Sequence, residues 1–328
     1  MTPEEVIELS DIGLDLFQNF VEIIIALIIF GIYCLAWCIS LSIYWQNSTS
    51  TTSAKKAMIC ALLGTFVLML LFLGSQAIVI PVLVKYELVV TLPGGIMEQI
   101  GAANAETHSS VYDPIHDWVI NIIAFIADTV IVWRAWAMWM GNRKVKWTLL
   151  LLMLANLAVS VADGFADTDP RHFNQNRSSS TLDWVNFILS FSVNMIATCL
   201  ISFRAWLHHN SMKSISMITK KRTQGERILL LLVESGAIYA VLQLLCIITS
   251  ALSVNAPFSL PLNIPRTITL HLYITAAALN PVAIFILVHT KNTYEQSFHL
   301  PEISTLSQQD QSNQVSVLLG DPGGIEPS

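Results

Sequence analysis

The chain is poor in charged residues. Only 12% of its 328 residues are Asp, Glu, Lys or Arg, whereas 54% are hydrophobic. Soluble globular domains carry charge on about 25% of their residues. An apolar excess of this size is more than one globular core can hold, which argues against an ordinary soluble domain. We therefore expect an all-α integral membrane protein.

The sequence is also poor in residues suited to cross-links or metal sites. No cysteine lies in a polar loop, which argues against a disulfide framework. All five lie in apolar runs: Cys34, Cys38, Cys60, Cys199 and Cys246. The histidines and acids at positions 108–117 match no zinc-ligand spacing. We predict no metal, no cofactor and no catalytic residue, and do not expect an enzyme.

The N-terminal segment has no Lys or Arg before residue 17, although it contains several acids. A cleavable signal peptide would carry cations there, so the first apolar stretch is predicted to remain as an anchor. We expect residues 1–20 to form an extracellular segment.

Seven stretches are long and apolar enough to cross a bilayer, which takes roughly 20 residues. Tryptophans fall near many of their ends, as is typical of membrane interfaces. The predicted spans are residues 21–45, 57–84, 117–140, 147–164, 183–206, 228–253 and 266–289.

The cations indicate the orientation. With the N-terminus outside and seven spans, thirteen Lys and Arg residues fall on the inner side and four on the outer side. Cytoplasmic loops carry such an excess of cations, so we predict the N-terminus outside and the C-terminus inside. Residues 21–290 are then the transmembrane domain. Residues 291–328, rich in Ser, Gln and acids, are predicted to be a disordered cytoplasmic tail. Of the two glycosylation sequons, at Asn47 and Asn176, only Asn176 would lie outside.

A short sequence occurs twice, as Trp133-Arg134-Ala135-Trp136 and as Phe203-Arg204-Ala205-Trp206. Both copies fall at predicted inner ends, where Arg reaches headgroups and Trp occupies the interface. Anchoring therefore explains the repeat, and duplication of a helix pair is an alternative.

Asp128 is not explained by anchoring, because a carboxylate near mid-bilayer costs a few kcal/mol and needs a partner. Asn121 shares its helical face, and Asn156 or Asn280 is the expected partner. Polar stripes in spans five, six and seven indicate either interhelical hydrogen bonds or a polar cavity. The candidate ligand cavity comprises Asn121, Asp128, Asn194, Gln243, His271 and Asn280.

A second candidate feature lies near the predicted inner ends. Glu234 is at a depth similar to that of Arg134 and Arg204, so an ion pair between them is expected. Such a pair is a switch if it opens and a static staple if it does not. Pro281 is expected to let span seven bend.

Several motifs resemble those of known families. Asn280-Pro281-Val282-Ala283-Ile284 resembles the NPxxY motif of G-protein-coupled receptors, although Ile284 replaces the tyrosine. Trp133-Arg134-Ala135 departs from the receptor Asp-Arg-Tyr triplet. The segments IADTVIVWRAWAMW, ERILLLLVESGAIYA and AALNPVAIFILVHT resemble an uncharacterised set of seven-helix proteins expanded in mushroom-forming fungi. This resemblance implies the seven-helix architecture and no particular ligand.

The favoured function is a receptor-like membrane protein that senses an unknown small ligand and signals to a cytosolic protein at the basic inner loops. The alternatives are an ion- or proton-coupled transporter using Asp128 and Glu234, and a structural membrane protein. A retinal-binding opsin is excluded, because span seven contains no lysine for a Schiff base. No nucleic-acid partner is expected. The expected location is multi-pass in a membrane, the plasma membrane rather than an internal one.

Overall fold

The described part of the protein is all-helical. The computed structural model describes residues 3–46, 53–90, 92–93, 95, 98–99, 101–102, 112–139, 141–168, 178–215, 224–255 and 264–286. Within these residues there is no strand. The main helices are α1 (Pro3–Gln46), α2 (Ser53–Val84), α3 (Tyr112–Met138), α4 (Arg143–Thr168), α5 (Ser178–Ile215), α6 (Gln224–Asn255) and α7 (Ile264–Ile286).

All seven helices are long and apolar enough to cross a membrane, which confirms the predicted number and kind of elements. Their outer faces carry many exposed large apolar side chains, among them Ile28, Leu35, Leu151 and Ile238. A contiguous surface of this kind is suited to lipid and not to water.

Two helices extend furthest beyond the predicted spans. Helix α1 begins at Pro3 and runs for 44 residues, so it includes most of the segment expected to precede the first span. At 1.5 Å per residue it is about 66 Å long, about twice the thickness of a bilayer core. Its first turns pack through Ile12 and Leu16 against Leu83 of α2. Helix α5 likewise continues to Ile215.

Side-chain contacts fix the relative direction of the helices. Helices α3 and α4 are antiparallel. Asn121 of α3 contacts Asp163 of α4, and Asp128 contacts Asn156, so residue numbers rise along one helix as they fall along the other. Helices α3 and α5 are parallel. Asn121 of α3 contacts Asn186 of α5, and Asp128 contacts Ser190, so residue numbers rise in the same direction along both helices. Helices α3 and α5 therefore begin at the same end of the bundle.

Helix α7 is the most enclosed of the seven. In its most apolar stretch, 61% of the residues are buried, whereas the corresponding share is 33% or less in each of the other six helices. Tyr273 stacks on Tyr239 of α6 at 5.8 Å and meets Phe187 of α5 at 6.0 Å between ring centroids. On its other side, His271 contacts Gln76 of α2. A central α7 therefore contacts helices on both sides of the bundle.

The two ends of the bundle differ in charge. The end where α3 and α5 begin and α4 ends carries Asp117, Asp163 and Asp183, and we call it the acidic end. The end where α3 stops and α4 begins carries Arg143, Lys144 and Lys146, and we call it the basic end.

Candidate functional site

A polar cavity of about 250 Å³, lined by residues of α3, α4, α5, α6 and α7, lies toward the acidic end. Small-ligand sites usually measure about 300–1,000 Å³, so this one suits a slender molecule. The residues that line it include Asp117, Asn121, Ala124, Phe125, Asp128, Asn156, Ser160, Asp163, Asp183, Asn186, Phe187, Ser190, Arg266, Leu270 and Tyr273.

The cavity contains two polar layers of similar composition. Asn precedes Asp by seven residues on α3, as Asn121 and Asp128, and again on α4, as Asn156 and Asp163. Seven residues span about two helical turns, so both members of each pair share one face and lie about 10.5 Å apart along the axis. Because α3 and α4 are antiparallel, each Asn meets the Asp of the other helix.

The outer layer is centred on Asp163, which is 3% exposed. Asn186 of α5 donates to Asp163 Oδ2 at 2.9 Å, and Asn121 donates to the same oxygen at 3.5 Å. Asn186 also donates to Asn121 Oδ1 at 2.9 Å and accepts a hydrogen bond from Ser160 at 2.9 Å. The outer layer therefore joins three helices through amides around one carboxylate.

The inner layer is centred on Asp128, which is fully buried. Ser190 of α5 donates to Asp128 Oδ2 at 2.6 Å, and Asn156 of α4 donates to it at 3.0 Å. Of the two partners expected for Asp128, the structure thus supplies Asn156. The expectation of Asn280 is wrong, because that residue lies in a different layer described below.

Each carboxylate accepts its amide and hydroxyl hydrogen bonds on one oxygen. The described donors all reach Oδ2, and Oδ1 of Asp128 and of Asp163 has no hydrogen-bond partner within the described part of the chain. The side-chain oxygen of Asn156 is likewise unpartnered there. Buried polar atoms are normally hydrogen-bonded. Three buried acceptors that line one cavity therefore mark it as a place for a donor.

Further acids lie at the mouth of the cavity. Asp117 and Asp183 line it, and Asp183 interacts directly with Asp163. Neighbouring carboxylates repel each other unless a proton or a cation lies between them. Arg266 also lines the cavity, but its side chain is exposed. Four aspartates and one arginine thus line the cavity.

Apolar side chains also line the cavity. Ala124 lies between Asn121 and Asp128 on α3, and Phe187 and Leu270 line the cavity from α5 and α7. Ser160 lies between Asn156 and Asp163 on α4, and its hydroxyl is bonded to Asn186 of the outer layer. The lining therefore combines the two polar layers with apolar side chains.

A chain of hydrogen bonds leads from the floor of the cavity to α6. Gln243 of α6 donates to Ser190 Oγ at 3.0 Å, and Asn194 donates to Gln243 Oε1 at 2.9 Å. Asn194 also reaches the backbone oxygen of Gly236 at 3.4 Å. The predicted cavity residues Asn194 and Gln243 therefore lie beneath the cavity and connect it to α6.

Nearer the basic end, Arg134 holds three helices together. It is 6% exposed and donates to Ser235 of α6 at 3.3 Å and to Asn280 of α7 at 3.5 Å. Within the described part of the chain, its Nε has no hydrogen-bond partner. Ser235 adjoins Gly236, the end of the hydrogen-bond chain from the cavity.

The expected pairing of Glu234 with Arg134 or Arg204 is wrong for the described residues. Glu234 is exposed, and the next residue, Ser235, faces α3 in its place. Successive helical residues point about 100° apart, so only one of the two can do so. Arg204 is also exposed and lies over the ring of Trp139 at 5.6 Å.

The remaining predicted residues fall in other places. His271 is buried on the α2 side of α7, with Nδ1 at 2.8 Å from the Thr267 carbonyl and Nε2 at 3.0 Å from Gln76. Pro281 is buried within α7, which continues to Ile286. The sequon at Asn176 lies outside the described residues.

Sequence reasoning missed the second half of the cavity. Asp163 lies in a run, VADGFADTD, that reads as the weak end of a span. The signal that could have identified it is the repeated spacing of Asn and Asp seven residues apart on adjacent antiparallel helices. Asp183 and Arg266 lie near helix ends, where a charge is not by itself informative.

The described residues include no group of three or more His, Cys, Asp or Glu side chains arranged to hold a metal ion. Comparison of the chain with protein-family models, with curated proteins and with solved structures finds no significant match.

Proposed function

We propose that this seven-helix membrane protein is receptor-like: it binds a small ligand in the acidic-end cavity and transmits its presence to the basic end. The observation that carries the proposal is the unbroken series of hydrogen bonds from Asp128 through Ser190 and Gln243 to Asn194. Asn194 contacts Gly236, beside the Ser235 that holds Arg134. A ligand that changes the Asp128 layer therefore acts on groups that position α6.

The proposed orientation has the acidic end outside. The cations of the sequence lie mostly on the opposite side, as cytoplasmic loops require. In this arrangement the ligand enters from outside, and the proposed location is the plasma membrane. The basic end then meets a cytosolic signalling protein, for which the cations of the inner loops supply charge.

The test measures movement at the basic end. Spin labels are placed at Ala137→Cys on α3 and Leu231→Cys on α6, both exposed positions, in the full chain in lipid nanodiscs after the native cysteines are replaced. Compounds that raise the unfolding temperature are then tested for a change in the distance between the labels. The proposal expects a change that Gln243→Leu abolishes while the thermal stabilisation remains.

Thr249→Val is the matched control, because it also removes an α6 hydrogen bond, the 2.8 Å contact with Thr269, but lies outside the series. It should leave the distance change intact. Stabilising compounds that never change the distance would contradict signalling and favour a binding or structural protein.

Proton- or ion-coupled transport is the second candidate. It is favoured by one observation, the fully buried Asp128 with one oxygen unpartnered among the described residues. Intramembrane acids of this kind often relay protons or ions. Uptake into proteoliposomes that is driven by a proton gradient and lost in Asp128→Asn would establish transport in place of signalling.

We also propose that residues 117–290 are related to the seven-helix proteins expanded in mushroom-forming fungi. The support for this proposal is the three motifs quoted above, which include Asp128, Arg134, Ser235 and Asn280. Asp128 belongs to the inner layer. Arg134 and its hydrogen-bond partners Ser235 and Asn280 form a group near the basic end, which we call the Arg134 cluster.

A further inference from the structure

We propose that the cavity takes a ligand with two protonated amines separated by an apolar spacer, one amine at each Asn–Asp layer. This inference rests on the proposed ligand-binding function of the same cavity. It specifies the chemical class of the ligand and its position in the site.

The charge of the ligand follows from the lining. Asp117, Asp128, Asp163 and Asp183 line the cavity, together with the exposed Arg266 and the imidazole of His116. An anion or a further carboxylate would be repelled by the aspartates, whereas a cation would be attracted to them.

The type of cation follows from the unpartnered atoms. Oδ1 of Asp128 and Oδ1 of Asp163 are both buried acceptors that no described donor reaches. A protonated primary amine supplies three N–H donors. A quaternary ammonium supplies charge but no N–H, so it leaves these oxygens without hydrogen bonds.

The number of amines follows from the repetition of the layer. Each layer contains one aspartate whose Oδ2 accepts from amide or hydroxyl donors and whose Oδ1 is a buried acceptor that no described donor reaches. The two layers lie about 10.5 Å apart along the helix axis, from the seven-residue spacing. One small ammonium cannot reach both.

The spacer follows from the apolar part of the lining. Ala124 lies between the two layers on α3, and Phe187 and Leu270 also line the cavity, so methylene groups have apolar side chains to contact. The cavity volume of about 250 Å³ favours an unbranched chain. A divalent metal is disfavoured on geometry, because no described group of acids converges as metal ligands do.

The test compares four probes that share one chain length. They are heptamethylenediamine, heptylamine, heptanol and heptamethylenebis(trimethylammonium). Binding to the full chain in nanodiscs is measured by calorimetry and by thermal shift. We expect the diamine to bind at least about tenfold more tightly than heptylamine, a difference of about 1.4 kcal/mol, and expect weaker binding by the bis-quaternary compound and the alcohol.

Variants assign each amine to its layer. Asp163→Asn and Asp128→Asn should each reduce diamine affinity to about that of heptylamine. Glu234→Gln, an exposed acid outside the cavity, is the matched control and should bind the diamine as the unchanged chain does. The Asn variants keep shape and hydrogen-bonding capacity, so their thermal unfolding checks that the fold is intact.

The outcomes separate this inference from the proposed function. Equal affinity for heptylamine and the diamine, or tight binding of heptanol, would overturn the two-amine inference while leaving a ligand cavity in place. Diamine binding that survives both Asn substitutions would place it elsewhere and also overturn the inference. Diamine binding that fits these expectations, without movement of α6, would uphold this site and contradict only the receptor function.

Discussion

Ser190 Oγ donates a hydrogen bond to Asp128 Oδ2 over 2.6 Å, which joins the centre of α5 to the centre of α3. The same hydroxyl oxygen accepts from Gln243 of α6 at 3.0 Å. One serine thus connects the carboxylate of the inner layer to α6, the helix whose Ser235 is bonded to Arg134. The predictions below follow from this connection and from the layers around it.

Asp128→Ala should destabilise the protein. It removes the acceptor for Ser190 and Asn156, and leaving buried donors without a partner costs about 1–3 kcal/mol. Asp128→Asn keeps an acceptor and should cost less than about 1 kcal/mol on the same grounds. Thermal unfolding of the purified full chain compares the two. Equal destabilisation by both variants would show that the negative charge itself stabilises the unliganded protein.

Gly236→Ala should also destabilise, through packing. A Cβ at this position would lie 2.6 Å from Thr198 Oγ1 and 3.1 Å from its methyl carbon. Overpacking of this kind costs about 1–3 kcal/mol. Gly74→Ala on α2, where a Cβ meets nothing within 4 Å, is the control and should cause no loss. Equal unfolding temperatures for the two variants would contradict the close α5–α6 packing.

Arg134→Met should preserve or raise stability while it disconnects the helices. A buried charge without an acidic partner is costly, and an apolar replacement of similar size is often neutral or stabilising. The variant loses the contacts with Ser235 and Asn280, so the ligand-dependent change in the α3–α6 distance should disappear. Arg204→Met, an exposed arginine, is the control. A distance change that persists in Arg134→Met would exclude this cluster from signalling.

The glycosylation sites test the orientation. Asn47 and Asn176 are expected on opposite sides of the membrane, because three spans separate them, and only the outer one can receive a glycan. Expression in a eukaryotic host should give a glycosidase-sensitive band that Asn176→Gln removes and Asn47→Gln does not. The reverse pattern would place the acidic end inside.

The sequence predicted the number of helices because each span is a long apolar run that the bilayer requires. It also indicated Asp128 as a site, because an isolated acid in such a run needs a partner, and it suggested Asn156. Periodicity alone predicts which residues share a helical face. It does not predict which neighbouring helix that face meets.

That distinction explains two of the three errors. Asn280 and Asp128 were expected together, but α7 is placed so that Asn280 meets Arg134. Glu234 was expected to pair with an arginine, but the rotation of α6 directs Ser235 inward. His271 was placed in the cavity, but it faces α2 and Gln76. For Glu234 and His271 the error is one of helix rotation, which one sequence does not supply. For Asn280 it is one of depth, because Arg134 lies six residues nearer the basic end of α3 than Asp128.

The most direct test of the central claim is the access of water to the cavity from the acidic end. Ala124→Cys in α3, which lines the cavity, is introduced into the chain after its native cysteines are replaced. Leu151→Cys on the apolar outer face of α4, where the side chain is 63% exposed, is the control. Intact cells are treated with a membrane-impermeant maleimide. A water-filled cavity open to the outside predicts rapid labelling at position 124 and little at position 151. Equal resistance at both positions would contradict an open ligand cavity and leave the Asn–Asp layers as contacts between helices.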